Sequence, residues 1–299
     1  MIDDWGRAYT QIGYTNQVLT GLRNIPVTAI NKKLHNYVEG AARFIKAYTY
    51  YNLAQVFVPT YDISTADEKF GIPLRQTAEI SEPTIRSTIG QTYDSIIIEI
   101  KRAIQLLPDS VESSYPNRPS KAAAYALMAR TYMSMRKYDA AGLYADSCLQ
   151  IHDALIDFNT LDSTSPTPFT ASNKEVLYQS KAFIKSSLAA GVDGFGWLID
   201  TTLYRSYSIN DLRRSIYFSV NAIGNVKMKG TYYGLYIPFT GLATDEVLLI
   251  RAECYARADK TNEAMTGLNA LLVKRYRSDH FMPLTASNSS EALQHVLAE

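Results

Sequence analysis

The sequence is poor in the groups that enzymes and metal proteins most often draw on. Of 299 residues, four are His and two are Cys. His35, His152, His280 and His295 are scattered, no HExxH occurs, and no Cys stands at ligand spacing from a partner. Metal is therefore not expected, and no cofactor is implied. There is no GxSxG, no P-loop and no GxGxxG. The pieces GVDGFGW and NAIGN are glycine-bearing loops without a following helix to cradle phosphate. Carboxylates pair at Asp3/Asp4, Asp67/Glu68 and Asp245/Glu246, and two of these pairs open helices, where negative charge suits the macrodipole. No catalytic residue is assigned.

Other absences bound the class of protein. Lys plus Arg is 30 and Asp plus Glu is 29, so no overall field draws nucleic acid or an anionic membrane. No apolar run approaches the roughly 20 residues that span a bilayer. Cys148 and Cys254 fall inside helical patterns and read as two buried thiols. The opening MIDDWGRAYTQ has neither the basic nor the apolar region of a secretory signal. The closing ALQHVLAE sits within a helical pattern. Both ends read as cuts in a longer protein.

Apolar residues make up 46% of the chain, enough for a sizeable core. Tyrosine is abundant, at 22 against 10 Phe and 2 Trp. Its apolar ring and polar tip suit half-wet surfaces as well as helix cores.

Helical periodicity dominates the first half. Residues 3–22 form an amphipathic helix with Trp5, Tyr9, Ile12, Leu19 and Leu22 on one stripe. A long helix over 32–58 has Ala42, Ala47, Tyr50, Tyr51 and Leu53 as its core side and stops at Pro59. Residues 60–84 read as a long loop, a kind of segment that is often functional. Thr88 and Gln91 form a capping box for a helix that ends at Pro108. The stretch 120–149 is then a helical hairpin. It carries Tyr125, Met128, Ala129 and Tyr132 on one helix, turns near Arg136 and Lys137, and carries Ala141, Ala145, Cys148 and Leu149 on the other. The small–aromatic–small spacing is the tetratricopeptide pattern. Ala129, Tyr132 and Ala141 recur 123 positions on as Ala252, Tyr255 and Ala264. A last helix is capped by Asn288 with Glu291 three residues on.

Between the two hairpins the character changes. Residues 153–240 are rich in Ser, Thr, Gly and Tyr, with short strand-like pieces at 175–180, 214–220 and 225–229. The expected organisation is a mainly α, tetratricopeptide-like scaffold over 1–152 with the loop 60–84 inserted. An irregular module with short strands follows over 153–240, then C-terminal helices over 241–299, all within one domain. Flat rings stack on the apolar faces of sugars while polar groups bind the hydroxyl rim. Phe195, Trp197, Tyr204 and Tyr207 crowd into the module, Tyr232, Tyr233 and Tyr236 form a second cluster, and Phe57, Tyr61 and Phe70 flank the long loop. The glycan-contact candidates are Phe195, Trp197, Tyr204, Tyr207, Tyr232, Tyr233 and Tyr61, each also able to serve as packing.

Four segments together resemble the SusD/RagB family. They are WGRAYTQIGYTNQVLTGL; EGAARFIKAYTYYNLAQVFVPTYD; EPTIRSTIGQTYDSIIIEIKRAIQLLP with RPSKAAAYALMARTYM; and NDLRRSIYF with FTGLATDEVLLIRAECYARADKTNEAMTGLNALLVKRY. The resemblance implies an α-helical fold of four tetratricopeptide-like units and non-catalytic capture of oligosaccharide at the cell surface. It also implies pairing with a SusC-like TonB-dependent outer-membrane transporter. It places the protein on the outer membrane as a lipoprotein, through a lipid anchor that this sequence does not contain. Asp211, Arg213 and Arg214 match a family segment and read as a structural salt bridge. Two other readings stay open. One is a peptide- or protein-binding scaffold, as in RagB-like peptide uptake. The other is a helical glycosidase whose carboxylates converge from distant sequence.

Overall fold

The computed structural model describes residues 4–79, 81, 83–182, 198–234 and 237–299. Two compact units emerge, one of Met1–Val111 with Pro119–Ile151, the other of Glu112–Arg118 with His152–Glu299. The first break falls where the helical pattern of the sequence stops. The irregular stretch and the helices after it lie in one unit.

In the first unit, α1 (Asp4–Arg23) packs on α2 (Lys32–Phe57), α2 on α3 (Ile89–Leu106), α3 on α4 (Lys121–Ser134) and α4 on α5 (Tyr138–Ile151). The expected core side of α2 is buried, with Ala42, Ala47, Tyr50, Tyr51 and Leu53 all inside. The charged members of its motif have a structural reason. Arg43 pairs with Glu39 at 2.9 Å and with Glu99 of α3 at 2.8 Å, and Lys46 reaches the same Glu99 at 3.4 Å. One buried carboxylate thus meets two cations, so its charge is not left unopposed. Thr88 caps α3 with the expected box: its hydroxyl accepts from Gln91 N, and the Gln91 side chain accepts from Thr88 N.

The stretch 60–84 is more ordered than its composition suggested. Within it, β1 (Phe70–Pro73) pairs antiparallel with β2 (Arg86–Thr88). Gly71 allows this, because a Cβ there would strike the Thr88 carbonyl and the Thr92 hydroxyl. The run beyond β1 is tied down by side chains. Tyr50 donates to the Arg75 carbonyl at 2.7 Å, and Asn16 Nδ2 donates to the Arg75 and Thr77 carbonyls, both at 2.9 Å.

The α4–α5 hairpin closes on small residues. Ala129, Ala141 and Ala145 are fully buried, and Tyr132 stacks on Tyr144 with centroids 5.6 Å apart. In the second unit, α8 (Thr244–Arg257) and α9 (Thr261–Leu272) repeat the arrangement with Ala252 and Ala264 buried. The repeat extends to the backbone of the turn. Arg136 has φ 57° and Asp259, at the equivalent place, φ 58°. Lys137 N donates to Tyr132 O and Lys260 N to Tyr255 O, each at 2.9 Å. The left-handed residue lets each short turn reverse the chain, a position at which glycine would be the default. Asp259 also accepts from Ser289 at the start of α10 (Ser289–Ala298), which is capped by Asn288 as expected.

The rest of the second unit is built from short pieces. These are β3 (Val176–Tyr178), α6 (Thr201–Ser206), α7 (Arg213–Ile216), β4 (Phe218–Val220), β5 (Val226–Met228) and β6 (Leu242–Ala243). They make two small antiparallel ladders, β3 with β6 and β4 with β5. The strand-like piece at 214–220 is therefore a helical turn followed by a strand. Cys148 and Cys254 are both buried.

The left-handed turn gives the first prediction. Arg136→Gly should leave stability unchanged or raise it, whereas Arg136→Val should lower it by about 1–2 kcal/mol, measured by urea unfolding. Equal destabilisation by both would mean that the Arg136 side chain, and not its backbone, matters.

Candidate ligand-binding site

The sequence-named rings separate into three groups. Tyr61 and Tyr232 are each 7% exposed. Tyr61 packs edge-on against Tyr93, with centroids 5.0 Å apart. Tyr232 packs edge-on against Phe169 at 4.8 Å, within a core of Ile156, Phe158, Ile216 and Ala243. Both rings are spent on packing and offer no open face, so neither is kept as a stacking surface. Phe195 and Trp197 lie outside the described residues. Tyr204, Tyr207 and Tyr233 remain, all half-buried.

Tyr204 and Tyr207 form one surface. They lie at the start and just beyond the end of the last turn of α6, which Asp200 caps by accepting from Thr202 N at 2.7 Å. Both rings lean on Phe218 of β4, at 5.8 and 5.7 Å. Each also carries a guanidinium, Arg214 over Tyr204 at 4.5 Å and Arg213 over Tyr207 at 5.2 Å. Arg213 is fixed in turn by Asp211, at 2.6 Å, and by Glu299. The sequence-level reading of Asp211 and Arg213 as a structural bridge agrees with this geometry. Exposed Leu203 and Val220 belong to the same elements. The surface thus combines aromatic rings, apolar edges and fixed donors, which is what sugar recognition requires. Tyr233 stands separately, with Lys181 Nζ 5.1 Å from its ring centre.

Beneath the module lies a buried polar network that the sequence reading did not single out. Glu175 is fully buried and Arg275 is 2% exposed, and they pair at 2.8 Å. Ile156 N donates to Glu175 Oε1 at 2.7 Å, and Arg275 Nη1 donates to Ile156 O at 2.9 Å. The guanidinium lies over Phe158 at 4.2 Å. The Tyr232 hydroxyl contacts both Glu175 Oε2 and, at 2.9 Å, Asp245 Oδ2. A phenol has one proton to donate, so one of these contacts calls for a proton on a carboxyl. Burial and the neighbouring Asp245 push the Glu175 carboxyl up, and Arg275 opposes them without cancelling them. The available signal in the sequence was a basic run, Lys274, Arg275 and Arg277, after the apolar end of α9 and a Glu just before a strand.

Residues 1–133 match the SusD-like family described as starch-binding and associating with the outer membrane. SusD-like protein P2 of Formosa agariphila is 25% identical across 98% of this chain and 60% of its own length. The match over the first 133 residues agrees with the SusD/RagB resemblance of the sequence. Solved relatives give the same fold. A SusD superfamily protein from Bacteroides thetaiotaomicron superposes with TM-score 0.79 at 17% identity, covering 98% of this chain and 70% of its own. A SusD-like carbohydrate binding protein from Bacteroides vulgatus gives 0.76 at 16% identity, over 99% and 65%. The chain thus spans about 60% of the length of the curated relative it matches. Among the described residues no helix is long and apolar enough to cross a membrane.

The network makes a prediction with a definite pH sign. Arg275→Met removes the one cation that opposes the rise in the Glu175 carboxyl, so the folded state holds its proton more strongly than the unfolded chain does. Folded-state protonation favours stability below the unfolded carboxyl value of about 4.3 and is lost as pH climbs. The variant should lose about 3–5 kcal/mol, with a larger loss at pH 8 than at pH 5 in urea titrations. A loss independent of pH would mean that Glu175 is not the titrating group.

Proposed function

We propose that this protein is a non-catalytic, glycan-binding surface subunit of a nutrient-uptake complex in the outer membrane. On this reading it captures oligosaccharide for a SusC-like TonB-dependent transporter. The observation that carries the reading is the Tyr204–Tyr207 surface on a SusD/RagB fold. Two half-exposed rings are held rigid by Phe218 and flanked by guanidinium groups, with apolar side chains beside them. Sugar C–H faces would stack on the rings, and ring hydroxyls would accept from Arg214. Tyr233, beside Lys181, offers a further ring. The relatives' descriptions as starch-binding and carbohydrate-binding support the ligand class. Outer-membrane association follows the family description, and the lipid anchor is inferred from the family alone.

Calorimetric titration against a panel of oligosaccharides tests this. Tyr204→Ala and Tyr207→Ala should each weaken binding by roughly fivefold, equivalent to about 1 kcal/mol per stacking ring. Melting temperatures measured alongside separate lost contact from lost packing on Phe218. Binding of extended peptides with no response to any glycan would overturn the sugar assignment in favour of peptide uptake.

A further inference from the structure

The corner between α1 and α2 carries charge of one sign only. From Trp5 to Val38 the sequence has Arg7, Arg23, Lys32 and Lys33 and not one Asp or Glu, in a chain whose acids and bases otherwise nearly balance. Asp4 stands at the far end of α1, and Glu39, the first carboxylate after the stretch, is taken by Arg43 at 2.9 Å. Arg23, Lys32 and Lys33 are exposed, and no carboxylate among the described residues pairs with them. The chain as a whole carries no field, but this corner does.

The same corner holds apolar side chains out in solvent. Ile30 is 97% exposed, and Ile25, Val27 and Leu34 are exposed with it. One such residue needs no explanation, but four within ten positions do. Tyr14 and Val18 are also exposed, and Tyr14, Val18 and Ile25 follow at spacings of four and seven, which continues the apolar line along the outer face of α1. Nor is the tip slack. Thr28 N donates to Asn31 Oδ1 at 2.7 Å, Asn31 N to Thr28 Oγ1 at 3.3 Å and Asn31 Nδ2 to Pro26 O at 3.0 Å. The turn is thus fixed by its own hydrogen bonds while Val27 and Ile30 project from it.

Convexity and charge together narrow the occupant. A side chain as bare as Ile30 has almost no neighbour, so the apolar group is a protruding tip and not a groove that could receive a helix or strand of another protein. A nucleic acid would use the cations and leave Val27 and Ile30 in water. A lipid surface uses both: the acyl boundary takes Ile, Val and Leu, headgroup phosphates take the cations, and a tyrosine suits the border between them.

We propose that the α1–α2 corner is a peripheral membrane-contact site, at which Ile25, Val27, Ile30 and Leu34 enter the surface of an anionic bilayer and Arg23, Lys32 and Lys33 bind its headgroups. It needs neither an attached lipid nor the glycan reading, and it shares no residue with the Tyr204–Tyr207 surface.

The test is co-sedimentation of the purified protein, free of any attached lipid, with vesicles of phosphatidylcholine alone or with roughly 30% phosphatidylglycerol. The mixed vesicles should bind it, with half-saturation on the order of 1 mM accessible lipid, and salt should weaken the binding. Lys32→Gln and Lys33→Gln should each weaken it about fivefold. Ile30→Asp should weaken it at least tenfold with no change in melting temperature or in oligosaccharide titration, because the residue packs against nothing. The emission of Ile30→Trp should shift to the blue on mixed vesicles by more than that of the parent protein. No binding to either vesicle would overturn the assignment, as would binding indifferent to Ile30→Asp. Self-association abolished by Ile30→Asp, without vesicle binding, would overturn it in favour of a second copy of the chain on this face.

Discussion

Arg275 ties the short elements of the second unit to the segment that follows its long helices. The segment that follows α9 acts as a short rail. Lys274 O accepts from Phe158 N at 2.9 Å, Arg275 O from Leu212 N at 2.8 Å, and Tyr276 O from the Asn159 side chain at 3.0 Å. Between these contacts the Arg275 side chain runs inward to Glu175 and Ile156 O. Strands of two or three residues cannot fix one another by ladder bonds alone. Here they are fixed by a buried pair that is hydrogen-bonded on both sides, Glu175 by Ile156 N and Tyr232 and Arg275 by Ile156 O, and such bonds are what make a buried pair tolerable. The Tyr204–Tyr207 surface lies downstream of this arrangement. Leu212, whose amide is caught by Arg275 O, stands beside the Arg213 and Arg214 that flank the two rings.

The first unit solves the same problem differently. Its helices are long and its core is largely aliphatic and aromatic, and the buried charges are paired. Glu99 with Arg43 and Lys46 is such a cluster. The unpaired oxygen of Asn16 is an exception to that economy, on a helix face that buries Thr15 and Asn16 beside Ile12.

Much of the scaffold was legible beforehand because helices declare themselves locally. The capping box at Thr88 and the stop before Pro108 needed no tertiary information. Neither did the small–aromatic–small spacing at Ala129, Tyr132 and Ala141, nor its echo at Ala252, Tyr255 and Ala264. The segment 60–84 hid its strand because β1 is four residues long and depends on a partner beyond the loop. Among the aromatic candidates, residue type could not distinguish Tyr232 from Tyr207. One is a core ring with its hydroxyl in a polar network, and the other a half-exposed ring beside an arginine.

The sequence by itself determined the helices, their caps and the repeated hairpin, since each is written in spacings of a few residues. Only the tertiary structure decided which tyrosines face outward and that Glu175 meets Arg275 across one hundred positions of chain. It alone also brought Asn16 and His35 to one cavity. The physical reason is the range of the interaction. Capping and periodicity act within a turn or two, whereas burial, charge pairing and cavity shape depend on segments far apart in sequence, and no local pattern records which of them will meet.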